Sequence, residues 1–322
     1  MDGDGTSTQA PLWLLSDDGN EADPDPDLAA VRRYLLAADP DGRRMAAAVR
    51  RSIDMLLDGQ HTGRYRWDQL YKTEKAHLGT LIEINLQREF GFADGRDMDY
   101  SIVGTDVDCK YSQTLGAWMI PPEALGHLLL VVWASDERSS WSAGLVRALP
   151  ERLNNGGNRD AKKTLNAAGR QAVTWLFDRA PLQENMLLRL SEPDIDAIFS
   201  HKSGQRRVDE LFLRAHGRRV SRTVVATVAM QEDYMKRVRY NGGSRSRLQP
   251  RGIVILGHYS SHGRIAEALG LPVPGPGESV SARLAEARPE HGAAPRVELD
   301  GREWVLAGPA DPEQAVPKLP EI

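Results

Sequence analysis

The chain has 322 residues, a formal net charge of −4 and a single cysteine. That length allows a sizeable buried core and is typical of two domains. One cysteine excludes an intrachain disulfide and a multi-cysteine metal site. The longest apolar run, residues 128–134, is too short to span a bilayer, and the acidic start does not resemble a signal peptide. We therefore expect a cytoplasmic protein with no membrane partner.

Charge is distributed unevenly along the sequence. The first thirty residues contain eight acidic side chains and no Lys or Arg, and we predict that residues 1–27 form a disordered acidic tail. Residues 201–260 contain thirteen Lys and Arg residues and four acidic ones. Such a basic block indicates a polyanion partner, although a solvated basic face is an ordinary alternative.

Apolar periodicity predicts helices over residues 28–36, 45–57 and 73–90, with Thr73 as the cap of the third. Glu83 lies about 100° from the centre of the apolar stripe of that third helix. A carboxylate at this edge of the buried face can reach over a neighbouring sheet. Taken alone, Glu83 is better explained as an ordinary boundary residue, and only the aspartates that follow it favour a place in a site.

Residues 98–110 alternate in character about a glycine and predict a β-hairpin with Gly104–Thr105 as its turn. This register sets Ser101 opposite Asp108 and Asp99 opposite Lys110. Side chains alternate along a strand, and directly opposed residues share a face. One face is expected to carry Asp99, Ser101, Asp108 and Lys110, and the other Tyr100, Ile102, Val107 and Cys109.

Two carboxylates and an ammonium on one face indicate a divalent-metal site beside a phosphate-binding lysine. The Asp-x-Lys tripeptide occurs twice, at 108–110 and at 160–162, so the tripeptide alone proves nothing. The second copy follows a polar glycine-rich loop that provides no strand to hold it. Only the first has a partner strand and a further acidic residue in register. A charged, solvated sheet face remains the alternative.

Residues 128–133 and 141–149 predict two further strands, and residues 164–176 a helical stretch. The pattern breaks near residues 178–181, which predicts a linker over 175–184. Residues 28–174 are thus predicted to form an α/β domain, a mixed sheet with flanking helices, which carries the acidic cluster at one edge.

The second half predicts helices over residues 207–216, 223–229 (capped by Ser221) and 232–239, followed by a glycine-rich ribbon and a strand at 253–256. Three helices and a β-ribbon describe a winged helix-turn-helix, an α+β domain over residues 185–322. Further strands are predicted near 296–299 and 304–306. The residues expected to bind DNA are Tyr234, Lys236, Arg237 and Arg239 on the third helix and Arg245 and Arg247 on the wing, which also carries Arg251. A protein-interaction module of the same shape is the alternative.

DNA ligation is excluded by the residue at a single position of the sequence. Residues 56–59 resemble the Lys-x-Asp-Gly motif of DNA ligases, with Asp58 and Gly59 in place, but Leu56 replaces the lysine that is adenylated. Leucine has no amine nucleophile, so we reject ligation. The sequence also lacks a glycine-rich phosphate loop, and we expect no nucleotide cofactor.

Several segments resemble the NaeI family of type II restriction endonucleases, in chain order from about residue 28 to about residue 308. The matching segments are residues 58–70, 72–75, 83–86, 107–110, 226–229, 235–239, 252–258 and 269–274. The resemblance implies a restriction-endonuclease-like nuclease domain followed by a winged-helix domain, acting as a homodimer with Mg²⁺ in a bacterial restriction–modification system. The broader nuclease pattern often has proline before the first aspartate, where this chain has Met98.

The family's acidic cluster falls on Glu83, Asp99 and Asp108, and its lysine on Lys110. We expect the aspartates and the backbone carbonyl of Cys109 to hold Mg²⁺, with Glu83 as a further ligand or as a partner of the attacking water. Lys110 would orient that water or neutralise developing charge. The implied substrate is double-stranded DNA at a GC-rich palindrome such as GCCGGC, with two duplexes per dimer. The alternative is a DNA-binding regulator whose degenerate nuclease domain serves only to dimerise.

Overall fold

The computed structural model describes residues 25–320, which form two compact units. The first unit consists of residues 25–56 and 71–184, and the second of residues 57–70 and 185–320. Residues 1–24 of the predicted acidic tail lie outside the described residues, and Asp25 caps the first helix by accepting the Leu28 N–H.

The elements are named in chain order. The α-helices of the described residues are α1 (Pro26–Ala38), α2 (Arg43–Leu57), α3 (Gly59–Thr62), α4 (Lys72–Phe90), α5 (Ala167–Gln171), α6 (Glu192–Phe199), α7 (Gly204–Arg214), α8 (Arg222–Ala229), α9 (Ser244–Leu248) and α10 (Ser260–Ala268). The strands are β1 (Ala93–Asp94), β2 (Tyr100–Ile102), β3 (Thr105–Ser112), β4 (Leu128–Ser135), β5 (Ser140–Arg147), β6 (Thr174–Pro181), β7 (Arg219–Ser221), β8 (Ile253–Gly257), β9 (Glu278–Glu286), β10 (Arg296–Leu299) and β11 (Arg302–Leu306).

The first unit is built on a six-stranded sheet in the order β1-β2-β3-β4-β5-β6. Strands β3 and β4 are parallel and the other neighbours antiparallel, so the sheet is mixed, as predicted. Residues 128–134 of β4 are all buried, because apolar side chains cover both faces of this central strand. Helix α4 packs on β3 and helix α1 on β5. This arrangement places α4, the helix that carries Glu83, beside the predicted hairpin.

Two local predictions in the first unit are wrong. The cap of α4 is Tyr71 rather than Thr73, and the Glu74 carboxylate accepts the Tyr71 N–H at 2.8 Å. The stretch 164–176 is helical only in α5, which begins after the Asn166 cap. The β-branched and aromatic residues that follow form β6 instead, and this strand occupies most of the predicted linker.

The second unit joins a helical cluster to an antiparallel sheet. Strand β9 is central: it pairs with β7, β8 and β11, and β10 pairs with β11. Helices α7 and α8 confirm two predicted helices, and the Ser221 side chain caps α8 by accepting the Val224 N–H. Helix α10 and strand β9 were not predicted. Between residues 25 and 320, no helix is long and apolar enough to cross a membrane.

The predicted third helix of the second unit is wrong. Residues 232–239 form only a single 3-10 turn, Tyr234–Arg237. The chain then folds back so closely that a Cβ on Gly243 would lie 2.5 Å from the Arg239 carbonyl oxygen. The Arg245 N–H donates to the Val238 carbonyl at 3.2 Å across this reversal. The predicted wing is also displaced, since Arg245 and Arg247 lie on the short helix α9.

Residues 57–70 interrupt the first unit in sequence but pack within the second. Tyr65 belongs to the core around α7 and α8, and its ring stacks on Phe199 with centroids 5.9 Å apart. The Asn185 side-chain amide donates to the Tyr65 carbonyl at 2.9 Å. Gly59 approaches α8 so closely that a Cβ there would lie 2.1 Å from Thr227 Oγ1.

Candidate active site

The candidate site is built on the hairpin β2–β3, whose register differs from the predicted one. Ser101 pairs with Asp106 rather than with Asp108. The turn residues are Val103 and Gly104, with φ of 45° and 82°. Two consecutive positive φ angles are those of a type I′ turn, whose twist suits antiparallel strands. The predicted turn, one residue further along the chain, is therefore wrong.

The predicted division into two faces is nevertheless preserved. The partner of Ser101 moves by two residues, and because side chains alternate with a period of two, this shift does not exchange the faces. The four side chains predicted for the apolar face are all buried: Tyr100, Ile102, Val107 and Cys109. The chain thus keeps its two aspartates and the lysine on the opposite side.

Asp99 is held against the neighbouring strand by a backbone hydrogen bond. Its Oδ2 accepts the N–H of Cys109 at 2.7 Å. The carboxylate therefore lies beside β3 although Asp99 itself precedes β2. Its Oδ2 is 3.9 Å from Lys110 Nζ, so both aspartates flank the same ammonium.

Asp108 and Lys110 form a close ion pair within β3. Lys110 Nζ lies 2.5 Å from Asp108 Oδ1 and donates to the Cys109 carbonyl at 3.2 Å. Asp108 is only 5% exposed, and its Oδ2 accepts no hydrogen bond from the described residues. Burial raises the pKa of Asp108 to about 6, a rise that the Asp99 charge supports and the Lys110 ammonium opposes. A buried carboxylate oxygen without a donor is a natural contact for a cation.

Glu83 lies on α4, which packs over β3, and its side chain is half-buried. Burial raises the pKa of Glu83, the negative charge of Asp99 raises it further, and Lys110 lowers it. The Glu83 carboxyl is therefore within electrostatic reach of both hairpin residues. The structure thus brings Asp99, Asp108 and Lys110 into contact, with Glu83 on the adjacent helix within electrostatic reach of Asp99 and Lys110.

The donor set fits a small hard cation. Within residues 25–320, no group of three or more His, Cys, Asp or Glu side chains is gathered closely enough to enclose a metal ion. Mg²⁺ does not require such a cage, since proteins usually bind it through one or two carboxylates together with waters and substrate phosphates. Asp99 and Asp108 supply two carboxylates, and one oxygen of Asp108 accepts no hydrogen bond from the described residues.

The second Asp-x-Lys tripeptide lies outside the hairpin. Asp160 is exposed and Lys162 is half-buried. The turn that contains them lies between β5 and α5 and is closed by hydrogen bonds to Asn158 Oδ1.

The residues of the rejected ligase-like motif contribute to packing and to a chain turn. Leu56 is buried, Asp58 has a positive φ of 46°, and Gly59 is in close contact with α8.

The residues predicted to bind DNA from the third helix differ in availability. Arg237 pairs with Asp233 at 3.1 Å, and Lys236 lies 3.7 Å from the same carboxylate with its side chain 68% exposed. Tyr234 is half-buried against the helical core. Arg239 is exposed, which leaves it and Lys236 as the cations of this segment that most readily reach a ligand.

The predicted wing residues are largely engaged within the second unit. Arg245 donates to the Ile255 carbonyl at 3.1 Å and lies over the ring of Tyr259. Arg247 pairs with Asp209 at 2.7 Å. Arg251 pairs with Glu313 at 2.8 Å in the same way. These arginines support the local structure of α9 and the turn that follows it.

Sequence reasoning missed the part that Tyr100 plays. It placed this residue correctly on the apolar face of the hairpin, but its hydroxyl also donates to the Glu83 carbonyl at 2.8 Å. No spacing rule predicts a bond between a strand residue and the backbone of a helix seventeen positions earlier. The only signal was a tyrosine, with its polar tip, at a position where phenylalanine would suffice for packing.

A mixed sheet whose hairpin gathers two aspartates and a lysine, beside a glutamate on the adjacent helix, is typical of the restriction endonuclease class. Comparison with known proteins agrees. The family model described as restriction endonuclease NaeI matches residues 29–316. The type II restriction enzyme NaeI of Lentzea aerocolonigenes is 51% identical over 306 residues, covering 93% of this chain and 96% of that protein. The chain belongs to the NaeI family of restriction endonucleases, which confirms the resemblance, and it is a type II restriction endodeoxyribonuclease.

Proposed function

We propose that this chain hydrolyses both strands of duplex DNA at a specific site and needs Mg²⁺ to do so. The observation that carries the proposal is the cluster on the hairpin: Lys110 between Asp99 and Asp108, with one Asp108 oxygen buried and accepting no hydrogen bond from the described residues. Family membership supports DNA as the substrate, because the relative is named a type II restriction enzyme.

Each residue has a distinct part in the proposed reaction. Asp99 and Asp108, with the carbonyl of Cys109, would hold Mg²⁺, which when bound polarises a phosphate and lowers the pKa of its water. Lys110 has three N–H donors, and one that reaches a phosphate oxygen would neutralise the charge that grows in the transition state. Glu83 is half-buried, and the charge of Asp99 raises its pKa; its carboxyl would hold the attacking water.

The direct test is to incubate the purified protein with a plasmid in Mg²⁺, and in parallel with Mg²⁺ and excess EDTA. We expect discrete linear fragments with Mg²⁺ and intact plasmid with EDTA. Sequencing the fragment ends then gives the site, for which GCCGGC is our proposal. Binding of DNA without any cleavage would favour the alternative, a regulator whose nuclease domain only dimerises.

For the second unit we propose a winged-helix DNA-binding module. Its order of elements supports this: helix α7, short strand β7, helix α8, short helix α9, then the antiparallel pair β8 and β9. Helix α10 lies in the connection between β8 and β9, where a wing would be. Of the cations predicted to bind DNA from the third helix, Lys236 and Arg239 are the most exposed.

We further propose that the enzyme is a homodimer which binds two duplexes, one activating cleavage of the other. Cutting both strands of a palindrome needs two active sites, which a twofold dimer supplies most simply. The chain has a candidate site in the first unit and a candidate DNA module in the second. The test compares plasmids with one and two sites, then adds a short cognate duplex to the one-site plasmid.

The two-site proposal gives a clear expectation. Coupling between sites is typically about 1–3 kcal/mol, so the duplex should accelerate cleavage of the one-site plasmid by about fivefold or more. If the one-site plasmid is already cut at full rate and the duplex only competes, both units act on a single duplex. Sedimentation with and without DNA reports the dimer independently.

A further inference from the structure

We infer that Tyr100 is a positioning residue for DNA cleavage, because its buried hydroxyl ties helix α4 at Glu83 to the hairpin that carries the other three site residues. The inference rests on the proposed function, in which Glu83 acts on the reacting groups. Tyr100 itself lies on the apolar face of the hairpin, away from Asp99, Asp108 and Lys110. It would act through Glu83 rather than on the substrate.

The hydroxyl of Tyr100 has a specific contact on the helix. It donates to the Glu83 backbone carbonyl at 2.8 Å, and the side chain is fully buried. Glu83 lies in the middle of the nineteen-residue helix α4, where its carbonyl also serves the helix ladder. A carbonyl oxygen has two lone pairs and can accept both bonds. The bond from Tyr100 is therefore additional to those that make the helix.

The ring of Tyr100 belongs to the hairpin itself. On the neighbouring strand Cys109 is also buried, and its N–H holds the Asp99 carboxylate at 2.7 Å. Thus the hydroxyl joins α4, at the Glu83 carbonyl, to the hairpin that carries Asp99, Asp108 and Lys110. The ring itself packs on Phe92, with centroids 5.1 Å apart.

This link fixes the distance between Glu83 and the hairpin carboxylates. Aliphatic packing alone allows a helix to slide over a sheet, whereas a buried hydrogen bond selects one position. Misplacement of a catalytic group by about 1 Å can cost on the order of a hundredfold in rate. Removal of the hydroxyl should accordingly affect cleavage far more than folding, because the helix keeps its own hydrogen bonds.

The test is Tyr100→Phe, which removes the hydroxyl and keeps the ring. The matched control is Tyr111→Phe. Tyr111 lies further along β3 and packs beside Gly79 of α4, and its hydroxyl makes no hydrogen bond within residues 25–320. Three quantities are measured: the single-turnover cleavage rate of the DNA-bound enzyme, the DNA affinity in EDTA, and the Mn²⁺ affinity of the DNA-free protein by calorimetry.

We expect Tyr100→Phe to lower the single-turnover rate by about tenfold to a hundredfold, with DNA affinity within about twofold of wild type. If Glu83 is a cation ligand, Mn²⁺ affinity falls as well; if it holds the water, Mn²⁺ affinity is unchanged and only the rate falls. Both results support a positioning role. Tyr111→Phe should stay within about twofold of wild type in all three quantities.

The inference is overturned if Tyr100→Phe cleaves at the wild-type rate while Glu83→Gln is inactive, a result that leaves the proposed function intact. It is also overturned if Tyr111→Phe is slowed as much as Tyr100→Phe. If Tyr100→Phe does not fold, 4-fluorophenylalanine at position 100 keeps the ring and fills the place of the hydroxyl without a donor, and it should lower the rate per DNA-bound enzyme. An unchanged rate in that variant also refutes the link. Absence of cleavage by the wild-type protein in Mg²⁺ would instead refute the proposed function, and full activity of Glu83→Gln and Asp108→Ala would refute the assigned active site.

Discussion

Lys110 Nζ lies 2.5 Å from Asp108 Oδ1, while the other oxygen of the same carboxylate is buried and accepts no hydrogen bond from the described residues. One half of the Asp108 carboxylate is therefore neutralised and the other half remains available. A purely structural ion pair gains by satisfying both oxygens, since an unsatisfied buried group costs about 1–3 kcal/mol. The half-satisfied carboxylate is the pattern expected of a group that also binds a cation.

Asp108→Ala and Lys110→Ala should each reduce cleavage by at least about 10²-fold while DNA binding is largely kept. The reason is that the cluster contributes to the chemical step rather than to DNA affinity. The measurement is plasmid cleavage in Mg²⁺ alongside a binding isotherm in EDTA. Asp160→Ala and Lys162→Ala are the matched controls, since this second Asp-x-Lys lies in a loop, and both should cleave normally. Near-normal cleavage by Asp108→Ala would refute the site and assign the cleavage chemistry to other residues.

The raised pKa of Asp108 predicts how stability depends on pH without metal. Burial raises this pKa from 3.8 to about 6, so between those values the folded protein binds a proton that the unfolded chain has released. The free energy of unfolding should therefore fall as pH rises from about 4 to 6, by up to about 3 kcal/mol. Urea denaturation in EDTA at several pH values measures this change.

Asp108→Asn is the control for the pH effect, because it cannot ionise and its stability should fall less over the same range. Mg²⁺ at the proposed site would bind the ionised carboxylate, so its stabilising effect should be larger at pH 7 than at pH 5. Parallel stability curves for wild type and Asp108→Asn would show that another group titrates.

The exposed cations of the second unit predict the salt dependence of DNA binding. Lys236→Ala with Arg239→Ala should lower the slope of log affinity against log salt by roughly 0.9 for each phosphate that is no longer neutralised. Arg237, which pairs with Asp233, should contribute less than these two. Arg302→Ala on β11 is a control that also removes positive charge. An unchanged slope in the folded double variant would show that this segment faces away from DNA.

Gly59→Ala should destabilise the second unit by about 1–3 kcal/mol, because its Cβ would overlap Thr227 Oγ1. Gly79→Ala on α4 is the opposite case: the nearest atom is 3.9 Å away, and alanine favours helix by roughly 0.5–1 kcal/mol. Thermal unfolding of both variants tests the contrast. Equal stability of Gly59→Ala and wild type would mean that α3 does not depend on this contact.

No covalent nucleotide adduct should form when the protein is incubated with ATP or NAD. The ligase-like motif has Leu56 where an amine would be needed, and Leu56 is buried. Mass spectrometry of the intact protein after incubation is decisive. A mass increase equal to one AMP would contradict this expectation.

The faces of the hairpin were predictable from the sequence, but its turn was not. The alternation of Asp99, Asp108 and Lys110 with apolar residues determines which side chains share a side, and a shift of two residues leaves that unchanged. The turn depends on which residues adopt positive φ. Val103 does so here although β-branched residues disfavour it, so composition pointed to the following pair instead.

The second unit was less predictable because its short elements are decided by tertiary contacts. Residues 232–239 have a helical composition, yet a segment of eight residues gains little from propensity alone. The chain instead reverses close to Gly243, and Arg245 and Arg247 lie on α9 rather than on the predicted ribbon. The pairs that engage these arginines, such as Arg247 with Asp209, join residues far apart in sequence.

The interruption of the first unit by residues 57–70 has a consequence for how the chain can be divided. A fragment that begins at Asn185 lacks Tyr65, which is part of the buried core of the second unit, and lacks the α3 segment that packs on Thr227. A single cut near residue 184 therefore cannot release the second unit intact. Exchanging second units between relatives would need two crossover points, one on each side of residues 57–70, in addition to the one near residue 184. Recombination at any one point between residues 56 and 184 mixes the segments of at least one unit, which favours their inheritance as a single block.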